Sequence, residues 1–239
     1  MKRFIEFVSQ YEPDFPSKIK GASDSEIMQF ERLIGHPLPT FCRDYLSRMG
    51  HNHGGIDIGR NEAKTDIGTL IKYYEEYILP GEEEIPPESI VIAAHGYLIN
   101  QISLQGNEFE PIVNFSDGEE IESLYAESLE KLLYQITYMK YHLKQFPFAA
   151  SYVGSIKANR AEPAREIVLE LGFEPRFFSD VVTLCADRKE ASIWILQGEN
   201  APSASIAAQT RRVVEEIGQM LSDRAGLEFY SWGVAELVP

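Results

Sequence analysis

Apolar side chains recur at the helical period from Ile27 onward: Ile27, Phe30, Leu33 and Ile34 share one face, while Glu26, Gln29 and Arg32 point away. Ser23 and Glu26 stand just ahead of that run as a capping box, the serine oxygen taking the N3 amide and the glutamate returning to the Ser23 amide. Gly35 stands where a left-handed cap ends a helix. Pro39 pushes Leu38 out of the α region, and a second helix carrying Phe41, Tyr45, Leu46 and Met49 is predicted to close at Gly50. His51-Asn52-His53-Gly54-Gly55 then forms a polar, glycine-ended loop.

The same patterning predicts the flanking elements. Phe4, Phe7, Val8 and Tyr11 make residues 2–11 a short amphipathic helix, and Ile56 and Ile58 alternate with Asp57 and Gly59 as in a half-buried strand. Ile67, Leu70, Ile71, Tyr74 and Ile78 predict a helix over residues 66–79, ended by Pro80-Gly81. Glu82-Glu83-Glu84 and Pro86-Pro87 read as an exposed connector. Residues 89–94 and 97–104 form a hairpin through His95-Gly96, Pro111 opens a third strand through Phe115, and Ser128 begins a long helix with Leu129, Leu132, Leu133, Ile136, Met139 and Leu143 buried.

Beyond Pro147 the pattern changes. Residues 150–156 read as a strand, Glu162-Pro163 opens a helix carrying Ile167, Val168 and Leu171, and residues 181–186 and 191–197 are two strands across Asp187-Arg188-Lys189-Glu190. Ile206, Thr210, Val213, Val214, Ile217 and Leu221 predict a second helix, and residues 227–232 a last strand. That order is βαββαβ, the ferredoxin-like unit, which hosts too many functions to indicate one. The expected fold class is therefore α+β, with domains at 1–146 and 147–239.

The stretch "SEIMQFERLIGHPLPTFCRDYLSRMGHNHGG" resembles the opening of the SUKH superfamily, the Smi/Knr-type proteins, with Glu31, Gly35, Leu38, Pro39, Tyr45, Leu46, Gly54 and Gly55 in the family's places. "VIAAHGYLINQISL" and "YAESLEKLL" stand where the family has its hairpin and closing helix, so the resemblance covers residues 23 to about 135. Gly96 fills one glycine place of that hairpin; Leu98 or Ile99 stands at the other. The resemblance implies helices packed on a curved, largely antiparallel sheet. It also implies a bacterial immunity protein that binds and neutralises a toxin, many of these toxins being nucleases, or, as in eukaryotic members, a regulatory scaffold.

Charge narrows the partner. The chain of 239 residues has a formal net charge of −15, which argues against nucleic-acid or anionic-membrane binding and favours a basic protein. The excess is local: residues 73–130 hold fourteen Asp and Glu and no Lys or Arg. Such a stretch is either a solvated face that maintains solubility or a docking surface for a basic toxin domain. The candidate partner-binding residues are Glu75, Glu76, Glu82, Glu83, Glu84, Glu119, Glu120 and Glu122, with the two densest clusters placed in loops.

Catalytic signatures are missing: there is no GxGxxG, Walker loop, GxSxG elbow, HExxH or CxxC pair. His51 and His53 lack a matched ligand set for zinc, although a small metal-dependent hydrolase using them with His95 is the competing enzymatic hypothesis. Cys42 and Cys185 read as buried structural thiols rather than as a disulfide, and a Cys42 nucleophile assisted by His36 or His51 is the lesser alternative. No catalytic residue, metal or cofactor is expected. No stretch approaches the roughly 18 apolar residues of a membrane span, so the expectation is a soluble cytoplasmic binding protein.

Overall fold

The Ser23 capping box forms in full: in a computed structural model of the chain, the Ser23 oxygen accepts the Glu26 amide at 3.3 Å and the Ser23 amide donates to Glu26 Oε2 at 2.8 Å. The structure describes residues 1–59, 63–95, 98–106, 110–117, 119–154, 161–198 and 201–234. The fold class is α+β, and the chain divides into two units, Met1–Leu133 and Tyr134–Pro239.

The first unit begins with α1 (Lys2–Ser9), α2 (Phe15–Lys18) and the short β1 (Ile19–Lys20). It continues with α3 (Asp24–Ile34), α4 (Thr40–Met49), β2 (Asn52–His53) and α5 (Ile67–Tyr73), which runs on as a π turn at Tyr74–Ile78. Ile27, Phe30, Tyr45, Leu46 and Met49 are buried, while Leu33, Ile34 and Phe41 are half-buried. Gly35 caps α3 at φ 83°, in the left-handed region. At Gly54 (φ 61°) a Cβ would stand 2.6 Å from the Phe15 ring, so both conformation and space require glycine.

Ile56 and Ile58 are fully buried but form no strand; the ladder lies earlier, pairing Ile19 with His53 and Lys20 with Asn52. An alternation only two apolar residues long is met by burying both without a partner strand. Four antiparallel strands follow in sheet order: β3 (Ser89–His95), β4 (Leu98–Gln105), β5 (Ile112–Asp117) and β6 (Glu120–Ala126). The predicted turn at Gly96 lies outside the described residues. β6 replaces part of a predicted loop, because Glu120 and Glu122 hide the strand pattern of the residues after them. α6 (Leu129–Thr137) follows, with Ser128 Oγ accepting from the Lys131 amide at 3.2 Å.

The division falls inside α6 rather than at the expected 146/147. Within the second unit Tyr138 donates to Ala186 O at 2.9 Å, Gln135 Nε2 donates to Phe178 O at 2.9 Å, and the Tyr134 and Phe178 rings stack at 5.4 Å. After a π turn at Tyr138–His142 come β7 (Phe148–Gly154), α7 (Glu162–Glu170), β8 (Glu174–Pro175), β9 (Thr183–Arg188), β10 (Ala191–Leu196), β11 (Ser203–Ala208), α8 (Arg211–Ala225) and β12 (Leu227–Trp232). The sheet order is β12-β7-β11-β10-β9-β8, with every neighbouring pair antiparallel.

This unit departs from the expected βαββαβ order. Residues 203–208 form a full strand, and the helix starts after Thr210, whose hydroxyl accepts from the Val213 amide at 3.4 Å. All six β11 residues are buried, and a strand covered on both faces shows no alternation to mark it. Ala150, Tyr152, Ile193, Ile195 and Ile206 belong to one core with Ile167 and Val168 of α7 and Val214, Ile217 and Leu221 of α8. Among the described residues, no helix is long and apolar enough to cross a membrane.

Candidate functional site

The base-free stretch 73–130 spans the end of α5, the connector after it and the whole β3–β6 sheet. Glu75 and Glu76 are exposed on the π turn, Glu75 accepting from Gln29 Nε2 at 3.1 Å. Glu82 and Glu84 are exposed, but Glu83 is half-buried and accepts the Tyr73 hydroxyl at 2.6 Å. Burial, and then the Glu83 charge, push the Tyr73 phenol far above its ordinary value, so it stays a hydrogen-bond donor. Glu83 is thus a structural acceptor first.

Glu119, Glu120 and Glu122 are exposed, the last two on the edge strand β6 beside the exposed Ile121. Glu119 lies in the turn before β6, as its charge density suggested, whereas Glu120 and Glu122 lie on the strand rather than in a loop. A row of mostly buried residues crosses the sheet beneath this stretch. Tyr73 takes a short hydrogen bond from Gln101 on β4, Gln101 pairs with Ser116 on β5, and Ser116 pairs with Ile121 on β6. Two strand spacings, roughly 10 Å, separate Gln101 from Ile121. Among the described residues no ion pair engages Glu76, Glu82, Glu84, Glu119, Glu120 or Glu122, whereas Glu127 is held by Lys131 at 2.6 Å.

Of the three histidines of the hydrolase hypothesis, the structure describes the side chains of His51 and His53. His51 places Nε2 3.0 Å from Glu26 Oε1 and Nδ1 3.0 Å from Asp66 Oδ2, so both ring nitrogens are engaged. His53 Nε2 lies 3.7 Å from Asp57 Oδ2, and His36 Nδ1 lies 3.0 Å from Pro37 O. The His95 side chain lies outside the described residues. Among the described residues, no group of three or more His, Cys, Asp and Glu could hold a metal ion. Cys42 is buried in α4, and burial together with the Glu31 charge pushes its thiol up to about 12, which removes the thiolate a nucleophile needs.

A second constellation, in the second unit, was not singled out from sequence. Ser192 pairs with Asp187 across the β9–β10 hairpin and donates to it in a short hydrogen bond. Tyr138 donates to Asp187 Oδ1 at 2.7 Å, and His142 Nε2 lies 3.0 Å from the same oxygen. Arg176 Nε completes the set in a short ion pair. Burial alone would raise the Asp187 pKa, but hydrogen bonds from His142, Ser192 and Tyr138 outweigh it and hold the carboxyl well below the usual range. Ser192, His142 and Asp187 are not a nucleophilic triad. The single nitrogen Nε2 faces both partners, and Ser192 is buried.

Asp187 read as part of a charged turn, yet β9 extends through Arg188 and only Lys189 and Glu190 make the turn. The signal available in sequence was faint: Tyr138 and His142 at i, i+4, and a serine opposite an aspartate across a hairpin. Compared with protein-family models, characterised proteins and solved structures, the chain matches none of them.

Proposed function

We propose that the first unit is of the SUKH type and that the protein is an immunity protein: it binds a basic toxin domain one to one and neutralises it in the cytoplasm, without catalysing a reaction. The observation that carries this reading is a stretch without Lys or Arg in which Glu76, Glu82, Glu84, Glu119, Glu120 and Glu122 are exposed and enter no ion pair among the described residues. Exposed carboxylates that no ion pair engages among the described residues can accept hydrogen bonds from Arg and Lys of the toxin, in place of the phosphates a nuclease would hold. The element order supports the family assignment: two glycine-closed helices, a glycine pair, a third helix, a four-stranded antiparallel sheet and a closing helix.

The test is co-purification with the product of the adjacent gene, followed by association kinetics across salt. Steering by this surface requires the association rate to fall as the Debye length shrinks from roughly 10 Å at 0.1 M to 3 Å at 1 M salt. Joint reversal of Glu82 and Glu84 to Lys, or of Glu119, Glu120 and Glu122 to Lys, should slow association without unfolding the protein. If both variants bind and protect like the parent at every salt concentration, the acidic surface is a solubility device and the proposal fails.

A further inference from the structure

The second unit holds a groove of about 550 Å³ whose lining includes Glu174, Arg176, Phe177, Arg188 and Lys189, a volume within the roughly 300–1,000 Å³ of small-molecule sites. Both of its guanidinium groups are held from behind. Arg188 lies over the Phe173 ring with Cζ 4.8 Å from the ring centre, and its Nη1 donates to Leu171 O at 3.3 Å. Its Nη2 is 3.6 Å from Glu190, and its Nε is buried with no acceptor among the described residues. Arg176 is fixed through Asp187, which Tyr138, His142 and Ser192 hold in turn. Lys189 adds an exposed ammonium.

Buried donors are almost always satisfied, and the Arg188 Nε has no acceptor among the described residues. Guanidinium forks fixed in advance match the oxygens of phosphate, and they lose little freedom when they bind it. Of the two carboxylates in the lining, Asp187 is already met by four donors, which leaves Glu174 as the opposing charge. Phe177, 72% exposed, offers an aromatic face beside these cations. We propose that this groove is a ligand site for a small phosphate monoester carrying a flat ring, with Arg176, Arg188 and Lys189 on the phosphate and Phe177 against the ring.

The experiment titrates the full chain with phenyl phosphate, inorganic phosphate and benzoate by calorimetry and by NMR of the backbone amides. Phenyl phosphate should bind saturably, one to one, more tightly than inorganic phosphate, with shifts confined to residues 172–177 and 187–190. Arg188→Gln and Arg176→Gln should each weaken it about tenfold, the loss of one charge-assisted pair. Phe177→Ala should bring phenyl phosphate down to the affinity of inorganic phosphate. Because Arg176 belongs to a buried network, melting curves accompany each variant, and the exposed Lys189→Gln keeps the test decisive if an arginine variant fails to fold. No saturable binding in the millimolar range, or unchanged binding by Arg188→Gln and Lys189→Gln, overturns the site. Benzoate binding as tightly as phenyl phosphate overturns its assignment to phosphate.

Discussion

His51 Nε2 lies 3.0 Å from Oε1 of Glu26, the glutamate that closes the α3 capping box. Its Nδ1 lies 3.0 Å from Asp66, whose other oxygen accepts the Thr69 amide at the start of α5, so one imidazole joins the first turns of two helices. Only the protonated ring can donate to both carboxylates. The Asp66 hydrogen bond, with Glu26 acting in the same sense against the cost of burial, raises the His51 pKa above its ordinary 6.5. A raised folded value means that this stabilisation is fully present below pH 6.5 and is lost as pH rises through the folded pKa. His51→Ala should cost about 1–3 kcal/mol in the acidic part of that window and less above it. Melting temperatures of parent and variant, measured across pH 5.5–9 in one buffer series, should therefore converge as pH rises; a constant gap would show that the ring acts by packing alone.

Glu26 itself titrates at about 2, held down first by the Ser23 hydroxyl, then by the Ser23 amide and by His51. Its sign is opposite to that of His51: the contribution is present above the ordinary 4.5 and disappears as pH falls toward 2. Ser23→Ala should lower stability by about 1 kcal/mol at neutral pH and move the Glu26 titration upward, followed by NMR of its carboxyl carbon. An unmoved titration would locate the depression elsewhere.

Local chemistry made that joint half legible. Ser23, Glu26, Gly35 and Gly50 mark helix ends through neighbours three or four residues away, so the sequence is enough to place them. The partner of His51 is Asp66, fifteen residues off, and nothing in the spacing announces it. Strands reveal themselves by alternation. β11 has none because Ser203 through Ala208 are all buried, and Ile206, four residues before Thr210, mimics the helical period of the residues that follow. The Asp187 constellation was the least visible, since it joins residues 138 and 142 to 176, 187 and 192 through sheet register rather than sequence proximity. The glutamates stand out by charge alone, but nothing in the sequence ties Glu83 to Tyr73.

Gly218 lies midway along α8, where a helix normally prefers alanine by about 1 kcal/mol. Here the Tyr152 hydroxyl would stand 1.8 Å from an added Cβ and its ring carbon Cζ 2.1 Å from it. Gly218→Ala should therefore destabilise the second unit by about 1–3 kcal/mol despite its better propensity. Tyr152→Ala, itself destabilising, should remove that penalty, so the double-mutant cycle should show a coupling above about 0.5 kcal/mol. Additive losses in denaturant titrations would mean that Tyr152 moves aside freely.

Asp187→Asn tests the buried network that fixes Arg176 at the groove. The amide keeps the shape but withdraws the charge that Tyr138, His142, Ser192 and Arg176 all meet, and a cost of about 1–3 kcal/mol is expected at neutral pH. Because the folded pKa is depressed, the stabilisation is fully present above the unfolded value near 3.8 and is lost progressively as pH falls from there through the folded value. Parent and variant should differ in chemical denaturation at pH 7 and draw together toward pH 2. A difference unchanged at low pH would assign the effect to altered hydrogen-bond geometry.

β6 separates docking from edge protection. Its free edge carries Glu120 and Glu122 around the exposed Ile121, and charged residues on an edge strand also prevent pairing with a second sheet. The two roles respond differently to charge sign. Protection needs charge of either sign, so reversal to Lys preserves it, whereas neutralisation to Gln weakens it. Docking to a basic partner needs negative charge, so Gln slows association and Lys slows it further. Substitutions at exposed positions shift stability by about 0.5 kcal/mol or less, which keeps both pairs of variants folded for comparison. The expected result is a graded fall in association rate from parent to E120Q/E122Q to E120K/E122K, steepest at low salt, with all three proteins monodisperse by light scattering. Should the Lys pair associate as fast as the parent while the Gln pair aggregates, these glutamates guard an edge, and docking must rest on Glu75, Glu76, Glu82 and Glu84.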